Sequence, residues 1–363
     1  MLSEKEIQCL AERASVFAGR NLHIHIIANP VAGGFTIPKR VLAHRAAIEA
    51  ALEAVADRAS VVKSCDSRIH YTTAAGHAGA IAAGIIGQAE RDTDPDALYC
   101  MITAGGDGTS FDVQSEYARA VLENGHRNLV GKICFIRLPF GTGNDGSDGR
   151  TMQESLSLLV EDSAFILQSA VKVTTSGTSP VSWYSFNIAS IGLDAFVTHM
   201  TNKLKHRFPG DSYKLWLDIA CLFYERVYKV EPIKISLSAS DGSPVASIDS
   251  KLLLFLMGVS GGRTYGSNQK ILPDERNVCG MKEMSLGKKL FLKKHVKAGT
   301  HTVFPEALLY TADRAEINYS GRILVQLDGE SHELDQTCFP LVMERTEPFI
   351  TILRKPVPKT SDV

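Results

Sequence analysis

The chain has 363 residues, a length that predicts about two domains. Its 39 Lys and Arg residues nearly balance 40 Asp and Glu residues, for a net charge of -1, which excludes a global electrostatic attraction to nucleic acid or an anionic membrane. With 44% hydrophobic and 22% charged residues, the composition excludes disordered, collagen-like and coiled-coil proteins. The seven cysteines form no C-x-x-C pair, so we expect reduced thiols rather than a zinc site or disulfides.

Predicted helices and strands alternate in the first half. An amphipathic helix over residues 3–20 leads into a strand over 23–30. In chain order, the pattern then predicts a helix over 38–58, a strand over 59–64, a helix over 74–90, a strand over 98–103, a helix over 110–124 and a strand over 132–139. Such alternation is typical of an α/β domain with a mainly parallel sheet.

The second half of the chain has a different pattern of predicted secondary structure. Short strand-like runs separated by turn residues predict an antiparallel β-sandwich, with one helical insert at about 193–227. The runs cover residues 171–175, 183–190, 234–240, 251–259, 315–320 and 322–330. We therefore expect an N-terminal helical extension (1–21), an α/β domain (22–165) that the last stretch (340–355) rejoins, and a β-sandwich domain (166–339).

Three glycine-rich turns each follow a predicted strand: NPVAGG (29–34), GGDGTS (105–110) and GTGNDG (141–146). Parallel strands deliver their following loops to the same edge of a sheet, so the three loops can converge on one crevice. Glycines allow main-chain N–H groups to approach the oxygens of a phosphate closely. The loops therefore predict a phosphate site, although any one of them alone is more typical of an ordinary turn.

Two common nucleotide motifs do not account for these loops. No G-x-x-x-x-G-K-[ST] sequence is present. Gly141, Gly143 and Gly146 spell G-x-G-x-x-G, but this dinucleotide fingerprint belongs in the first strand-to-helix turn rather than the fourth. The acidic residues at the expected distance, Glu161 and Asp162, fall inside a predicted helical stretch rather than at a strand end, so we interpret the match as coincidental.

In this order, NPxxGG, GGDGT and LPFGTGND resemble the diacylglycerol kinase catalytic domain family, which includes bacterial lipid kinases and sphingosine kinases. The resemblance continues through IASIGLDA (188–195), KHRFPGDSY (205–213) and LDGE (327–330), and covers roughly residues 22–355. It implies an α/β nucleotide-binding domain followed by a β-sandwich lipid-substrate domain. It also implies transfer of the γ-phosphoryl group of ATP to a lipid hydroxyl, with Mg²⁺.

The resemblance also assigns nucleotide-binding positions. They are Asn29, Pro30, Gly33, Thr72, Gly105, Gly106, Asp107, Gly108, Thr109, Gly141, Thr142, Gly143 and Asn144. Backbone donors of this kind suit phosphoryl transfer, which depends mostly on positioning and charge stabilisation. Asp145, in the same loop, is equally well interpreted as a helix cap.

Glu330 matches the family's proton acceptor, and Asp328 stands two residues before it. If both lie at a strand end, their side chains point to one face, so that Asp328 would bind a metal or tune Glu330. A D-G pair by itself is also typical of a hairpin turn. Asp107 is the third catalytic candidate, reaching ATP-bound Mg²⁺ through water, with Asp112 as a second carboxylate that could serve the metal.

The chain departs from the family at two places. GGDGT is followed by Ser110, Phe111 and Asp112 where the family has a polar residue, Asn and Glu. The segment from Pro273 to Gly280 lacks both aspartates of the family's metal-binding loop. No protein ligand for a metal is assigned on this basis.

A basic run contains Lys282, Lys288, Lys289, Lys293, Lys294 and Lys297. Of these, Lys288, Lys289, Lys293 and Lys294 predict peripheral contact with an anionic membrane surface, although most charge runs are simply solvated. The longest apolar stretch, 252–259, is too short to span a bilayer. We expect a cytoplasmic protein that reaches the inner membrane surface, with no nucleic-acid partner and with a homodimer left open.

The sequence thus favours an ATP-dependent lipid kinase with a diacylglycerol-type or sphingoid acceptor. An NAD kinase-like small-molecule kinase is the alternative among enzymes. A catalytically weak nucleotide- or lipid-binding regulator is the alternative outside them, suggested by the departures at Phe111 and 277–279.

Overall fold

Two bodies of different secondary structure make up the chain in this computed structural model. It describes residues 2–141, 144, 146–177, 179–205, 224, 228–265 and 269–356. The first unit comprises residues up to Gln168 together with those from Pro348 onward, and the second comprises Ser169–Glu347. Each unit is described by itself below.

A six-stranded sheet forms the centre of the first unit, in the order β2-β1-β3-β4-β19-β5. Its strands are β1 Asn21–Ala28, β2 Ser64–Tyr71, β3 Ala97–Gly105, β4 Ile133–Pro139, β5 Ala164–Gln168 and β19 Ile350–Arg354. All neighbours are parallel except β5, which pairs antiparallel with β19. Every residue of β3 and β4 is buried, as expected of central strands covered on both faces. The predicted mainly parallel α/β sheet is confirmed.

Six helices accompany this sheet: α1 Glu4–Glu12, α2 Gly33–Thr36, α3 Pro38–Ala54, α4 His77–Arg91, α5 Asp107–Ala118 and α6 Met152–Val160. Local sequence explains several of their starts. Helix α3 begins with Pro38, whose missing N–H would have no partner in a first turn. Helix α6 begins with a reciprocal capping box between Thr151 and Glu154.

The second unit is built on antiparallel strands. Their bounds are β6 Val171–Thr174, β7 Ser182–Ser185, β8 Ile188–Gly192, β9 Pro232–Ser238, β10 Pro244–Gly258, β11 Arg263–Tyr265, β12 Gln269–Leu272, β13 Val278–Lys282, β14 Ala307–Tyr310, β15 Arg314–Asn318, β16 Ile323–Leu327, β17 Glu330–Leu334 and β18 Leu341–Arg345. Eleven of them, all but the β11–β12 pair, join in one sheet, because the long β10 pairs with β9 in its first part and with β8 and β13 in its second. The predicted antiparallel architecture is confirmed.

Among the described residues of the second unit, two helices interrupt the strands: α7 Leu193–Lys205 and α8 Leu286–Ala298. Helix α7 lies in the predicted insert, most of which beyond residue 205 falls outside the described residues. Helix α8 was not predicted from the Lys-rich sequence, and it ends at Gly299, whose φ of 78° suits a glycine C-cap. In the described part of the chain no helix is long and apolar enough to cross a bilayer.

Two expectations about element positions need correction. The strand predicted over 59–64 lies instead at Ser64–Tyr71. Strand β18, which the sequence grouped with the first domain as part of 340–355, pairs with β6 and β15 in the second unit. Only β19, at the end of that stretch, completes the α/β sheet.

Candidate active site

The three glycine-rich loops meet at the carboxyl edge of the parallel sheet. The first loop bonds to the end of β3, since the Asn29 N–H donates to the Ala104 carbonyl at 3.0 Å. It also bonds to the third loop, since the Gly34 N–H donates to the Phe140 carbonyl at 2.8 Å. Because β1, β3 and β4 are adjacent and parallel, their loops converge as the sequence predicted.

The second and third loops approach so closely that side chains are excluded between them. A Cβ built on Gly141 would lie 2.4 Å from the Cα of Gly106, a backbone atom that cannot swing away. A Cβ on Gly105 would lie 2.4 Å from Oγ1 of the mostly buried Thr109. These glycines are therefore required by close approach, because a side chain at either position would collide with atoms already in contact there.

Asp107 is the first residue of α5 and connects the second loop to the third. Its Oδ1 accepts a hydrogen bond from the Gly146 N–H at 3.0 Å. Gly106 precedes it as the N-cap of α5, and Gly108 and Thr109 follow it in the first turn. The first N–H groups of a helix have no intrahelical partner and favour an anion. This end of α5 is thus suited to a phosphate group.

Asn144 holds the third loop in a bent conformation. Its φ is 57°, in the left-handed region that asparagine tolerates better than most residues. Its Nδ2 donates to the Gly141 carbonyl at 3.1 Å. Thr142, Gly143 and Asp145 lie outside the described residues, so their predicted binding and capping roles stay predictions.

In the first loop, Asn29 caps the turn that begins at Pro30. Its Oδ1 accepts a hydrogen bond from the Val31 N–H at 3.2 Å. Gly33 begins α2, where a Cβ would lie 2.8 Å from Nη1 of Arg40. That guanidinium donates to the Gly141 carbonyl at 2.9 Å, so Gly33 makes room for a contact between α3 and the third loop.

The segment after β2 also reaches this edge. The Thr72 N–H donates to the Ala28 carbonyl at the end of β1, at 2.9 Å. Gly76 is the N-cap of α4, with a φ of 76°. Its N–H donates to the carboxylate of Asp112 in α5. Burial raises the pKa of Asp112, and this hydrogen bond acts in the opposite direction. Asp112 therefore connects the segment after β2 to the second loop.

Glu330 and Asp328 lie at a tight hairpin turn of the second unit. Leu327 pairs with Glu330, and Asp328 and Gly329 form the two-residue turn between β16 and β17. Their φ values of 49° and 101° are those of a D-G hairpin turn. Glu330 is the first residue of β17 and is exposed. The expectation that both carboxylates lie on one strand face is wrong, because Asp328 is in the turn.

The carboxylate of Asp328 is occupied by the segment that joins β7 to β8. It accepts hydrogen bonds from Ser185 Oγ at 2.7 Å, from the Phe186 N–H, and from the N–H groups of Asn187 and Ile188 at 3.0 and 3.2 Å. Burial raises the pKa of this carboxyl, and the four donors act in the opposite direction. Asp328 thus fixes the turn that presents Glu330.

A second buried acid supports the same turn and was not singled out from the sequence. Asp194, only 4% exposed, accepts hydrogen bonds from Ser190 Oγ and from Gln326 Nε2, the latter at 3.1 Å. Oε1 of Gln326 accepts in turn from the Gly329 N–H at 3.1 Å. The only sequence signal was the Asp in IASIGLDA, since no local pattern connects it to a residue 132 positions later.

A buried ion cluster orders the chain after the third loop and was also missed. Asp148 contacts Arg137 of β4 and Arg354 of β19, each with a shortest N–O distance of 2.7 Å. Burial raises the pKa of Asp148, but the two guanidinium groups outweigh it, so the pKa lies below its usual value. The cluster joins the last strand to the loop, which neither segment reveals alone.

The described residues contain no group of three or more His, Cys, Asp or Glu side chains that could hold a metal ion. Both carboxylates considered for this role, Asp107 and Asp112, already accept main-chain N–H bonds. These side chains fit a cation held mainly by nucleotide phosphates and water better than a cage of protein ligands.

In the altered loop at 273–280, the carboxylate of Asp274 is taken by Arg276, with Nε donating to its Oδ1 at 2.9 Å. Asn277 is buried and bonds to the Gly258 and Ala312 main chains. An ion pair and an amide thus organise this loop, and these residues do not fit a structural cation.

The fold can be compared with those of known proteins. No family model and no curated protein matches the chain. A solved structure described as a "putative diacylglycerol kinase from Bacillus anthracis str. Sterne" is 19% identical with a TM-score of 0.57, covering 92% of this chain and 95% of that chain. A second from the same organism, with the same description, is 18% identical with a TM-score of 0.53, covering 92% and 99%. A third, described as a diacylglycerol kinase, is 14% identical with a TM-score of 0.52, covering 92% and 97%.

The chain therefore has the two-domain fold of diacylglycerol kinase-like proteins. The resemblance inferred from NPxxGG, GGDGT and GTGND is confirmed at the level of the fold.

Proposed function

We propose that this chain is an ATP-dependent kinase that phosphorylates a lipid hydroxyl. The observation that carries the proposal is the convergence of three glycine-rich loops at the N-terminus of α5, with Gly106 and Gly141 in backbone contact. The likeness in fold to proteins described as diacylglycerol kinases supports the reaction class.

In this proposal the glycine-rich edge binds the phosphates of ATP. The main-chain N–H groups at the start of α5 and in the third loop donate to phosphate oxygens, where side chains would block the approach. Asn29 and Asn144 keep the first and third loops in their bent conformations. Mg²⁺ bound to the nucleotide would neutralise charge on the phosphates, with Asp107 oriented by Gly146 to contact its water ligands.

Glu330 accepts the proton of the lipid hydroxyl in this proposal. The hydroxyl oxygen forms a bond to the γ-phosphorus as the bond from that phosphorus to the β,γ-bridging oxygen breaks, so that ADP leaves with the electron pair. A carboxylate exposed at the start of a strand, on a turn held by Asp328 and Gln326, meets the need for a fixed base.

The alternatives differ in acceptor and in activity, and one assay separates them. Purified protein is mixed with labelled ATP, Mg²⁺ and, in turn, diacylglycerol, a sphingoid base, phosphatidylglycerol and NAD. We expect label in one of the lipids. Label in NAD alone would replace the proposal by an NAD kinase-like activity. Nucleotide binding without phosphoryl transfer to any acceptor would instead support a catalytically weak regulator.

The role of Glu330 is tested by replacing it with Gln. We expect phosphoryl transfer to fall by roughly 10²- to 10⁴-fold, the usual contribution of a general base, with ATP binding unchanged. Glu333→Gln is the matched control, since Glu333 lies on the same strand and forms an exposed ion pair with Arg322 at 3.4 Å. A fully active Glu330→Gln protein would remove Glu330 as the base.

A further inference from the structure

Helix α8 presents an unusual face to solvent. Three large apolar side chains on this helix are about half exposed: Leu286 at 50%, Leu290 at 55% and Phe291 at 50%. Val303, in the 3-10 turn that follows the helix, is 79% exposed. Large apolar side chains that cluster at one exposed place mark an interaction site more often than singly scattered ones do.

The periodicity of α8 places lysines among these apolar groups. Leu286, Leu290, Lys293 and Lys297 follow one another at spacings of three or four residues, which put them on one side of a helix. Lys294 lies on the same side, one turn after Leu290. We call Leu286, Leu290, Lys293, Lys294 and Lys297 the α8 face, and Phe291 lies beside it with its ring against that of Phe304.

The opposite side of α8 anchors the helix to the second unit. Leu292 and Val296 are buried and pack in a cluster with Ile271 and Leu272. Lys288, which the sequence grouped with the docking lysines, is ion-paired with Glu306 on the part-buried side. The α8 face is therefore held outward by a core contact, and Lys288 does not belong to it.

The charge of the α8 face indicates what covers it. Residues 286–298 contain five lysines and no acidic residue, in a chain with a net charge of -1. Lysines mixed with exposed Leu and Phe are typical of helices that lie in the interface of an anionic bilayer, where the apolar side chains enter the acyl boundary and the lysines meet the headgroups. A protein partner would need an acidic and apolar surface, whereas an anionic lipid surface supplies both components everywhere.

We infer that the α8 face docks on an anionic lipid bilayer. The biological purpose of this contact rests on the proposed function, since a lipid kinase must reach a substrate embedded in a membrane. The contact itself requires neither ATP nor an acceptor lipid. It therefore goes beyond the lysine run by making Leu286 and Leu290 part of the docking surface.

The test is co-sedimentation of the full chain with vesicles, without ATP or diacylglycerol. We expect binding to vesicles of phosphatidylcholine mixed with phosphatidylglycerol and little binding to phosphatidylcholine alone. Binding should weaken as salt is raised, because exposed charges are screened. Equal binding to both compositions, or to neither, would overturn the inference. So would self-association through this face without vesicle binding.

Two pairs of substitutions locate the contact. Lys293→Gln with Lys294→Gln should weaken binding to the anionic vesicles roughly 30-fold, from about 1 kcal/mol for each lysine near the surface. Lys229→Gln with Lys234→Gln is the control, because both lysines are exposed in the same unit and pair with Glu231 and Asp249 rather than with residues next to α8. Equal weakening by the two pairs would show a general charge effect and overturn the assignment to α8.

Leu286→Ser with Leu290→Ser should weaken binding on the order of ten-fold, as expected when two partly inserted apolar side chains are lost. Val181→Ser with Val245→Ser removes exposed apolar groups elsewhere in the same unit and should leave binding unchanged. Unaltered binding by the leucine variant would contradict insertion. Because these assays read binding alone, an inactive kinase that still binds vesicles would refute the proposed function and retain this inference.

Discussion

The glycine-rich edge of the first unit and the Asp328 turn of the second position acidic groups by opposite means. At the glycine-rich edge, the absence of side chains lets two backbones touch, and Asp107 accepts an N–H bond from across the gap. At the turn, a single carboxylate gathers Ser185 and three main-chain N–H groups around itself. Each of these two regions contains an aspartate beside a glycine, and from the sequence we interpreted both aspartates as catalytic.

The difference teaches that the same Asp-Gly pair can serve two structural roles, at the start of a helix or within a hairpin turn. Asp107 opens a helix at the edge where the loops converge. The carboxylate of Asp328 accepts the hydrogen bonds that hold its turn, whereas Glu330, two residues later, is exposed. Only the contacts of each carboxylate distinguish the two roles, and the predictions below test this distinction.

The largest expected effect comes from Gly141→Ala. The new Cβ would lie 2.4 Å from Gly106 Cα, so the two loops must separate, at a cost of about 3 kcal/mol in the free energy of unfolding. ATP binding should fall with it. Gly84→Ala is the control, since a Cβ there meets nothing within 4 Å and mid-helix alanine should stabilise by up to about 1 kcal/mol. Urea unfolding measures the stability of the two variants, and nucleotide titration measures their ATP binding. A Gly141→Ala protein with unchanged stability and ATP binding would show that the loops are not in fixed contact.

Asp328→Ala should be the next most damaging. Removing the carboxylate leaves three main-chain N–H groups and one hydroxyl without their acceptor, at a cost of about 2 to 3 kcal/mol. Because the turn presents Glu330, phosphoryl transfer should fall as well. Denaturant unfolding at neutral pH is the measurement. A variant as stable as the parent chain would mean that water replaces the carboxylate without loss.

Acid should destabilise the first unit through an imidazole pair on neighbouring strands. Burial, followed by the neighbouring His70, lowers the pKa of His25 to about 4 from 6.5, and the two rings are joined by an N–N contact of 3.1 Å. Because the unfolded chain takes up this proton more readily, the stabilisation is fully present above pH 6.5 and is lost as pH falls toward 4, by up to about 3 kcal/mol. Unfolding measured across this range should show a shallower slope for His25→Asn. An unchanged slope would assign the acid sensitivity to other groups.

Asp107→Asn should have the smallest effect on stability. The amide oxygen can still accept from the Gly146 N–H, and losing the charge beside the N-terminus of α5 should cost about 0.5 kcal/mol. Transfer should nevertheless fall strongly if Asp107 serves nucleotide-bound Mg²⁺. If Asp107→Asn unfolds more easily than Asp328→Ala, Asp107 would be the structural acid, and the distinction drawn between these two carboxylates would be wrong.

Much of the first unit could be predicted because its signals are local. Strands β1, β3 and β4 are rich in apolar residues, as buried parallel strands require, and a glycine-rich loop follows each. Strand β2 was misplaced because it lies at the edge of the sheet, where Asp66 and Arg68 are exposed and no apolar run marks the strand. Helix α8 was missed because its Lys-rich outer face obscures the two buried positions, Leu292 and Val296, that fix it.

By itself, the sequence determined the two-part architecture, the order of the glycine-rich loops and the expectation of a kinase-like fold, since each depends on residue types at fixed local spacing. Tertiary structure alone decided which carboxylates are held by hydrogen bonds and ion pairs to distant segments. Asp328 is bound by a segment about 140 residues away, and Asp148 by an arginine 206 residues later. It also decided that Leu286 and Leu290 face outward, because that depends on which side of α8 meets the core. Contacts between residues distant in the chain leave no local pattern, so the sequence alone did not show which acids are held by such contacts.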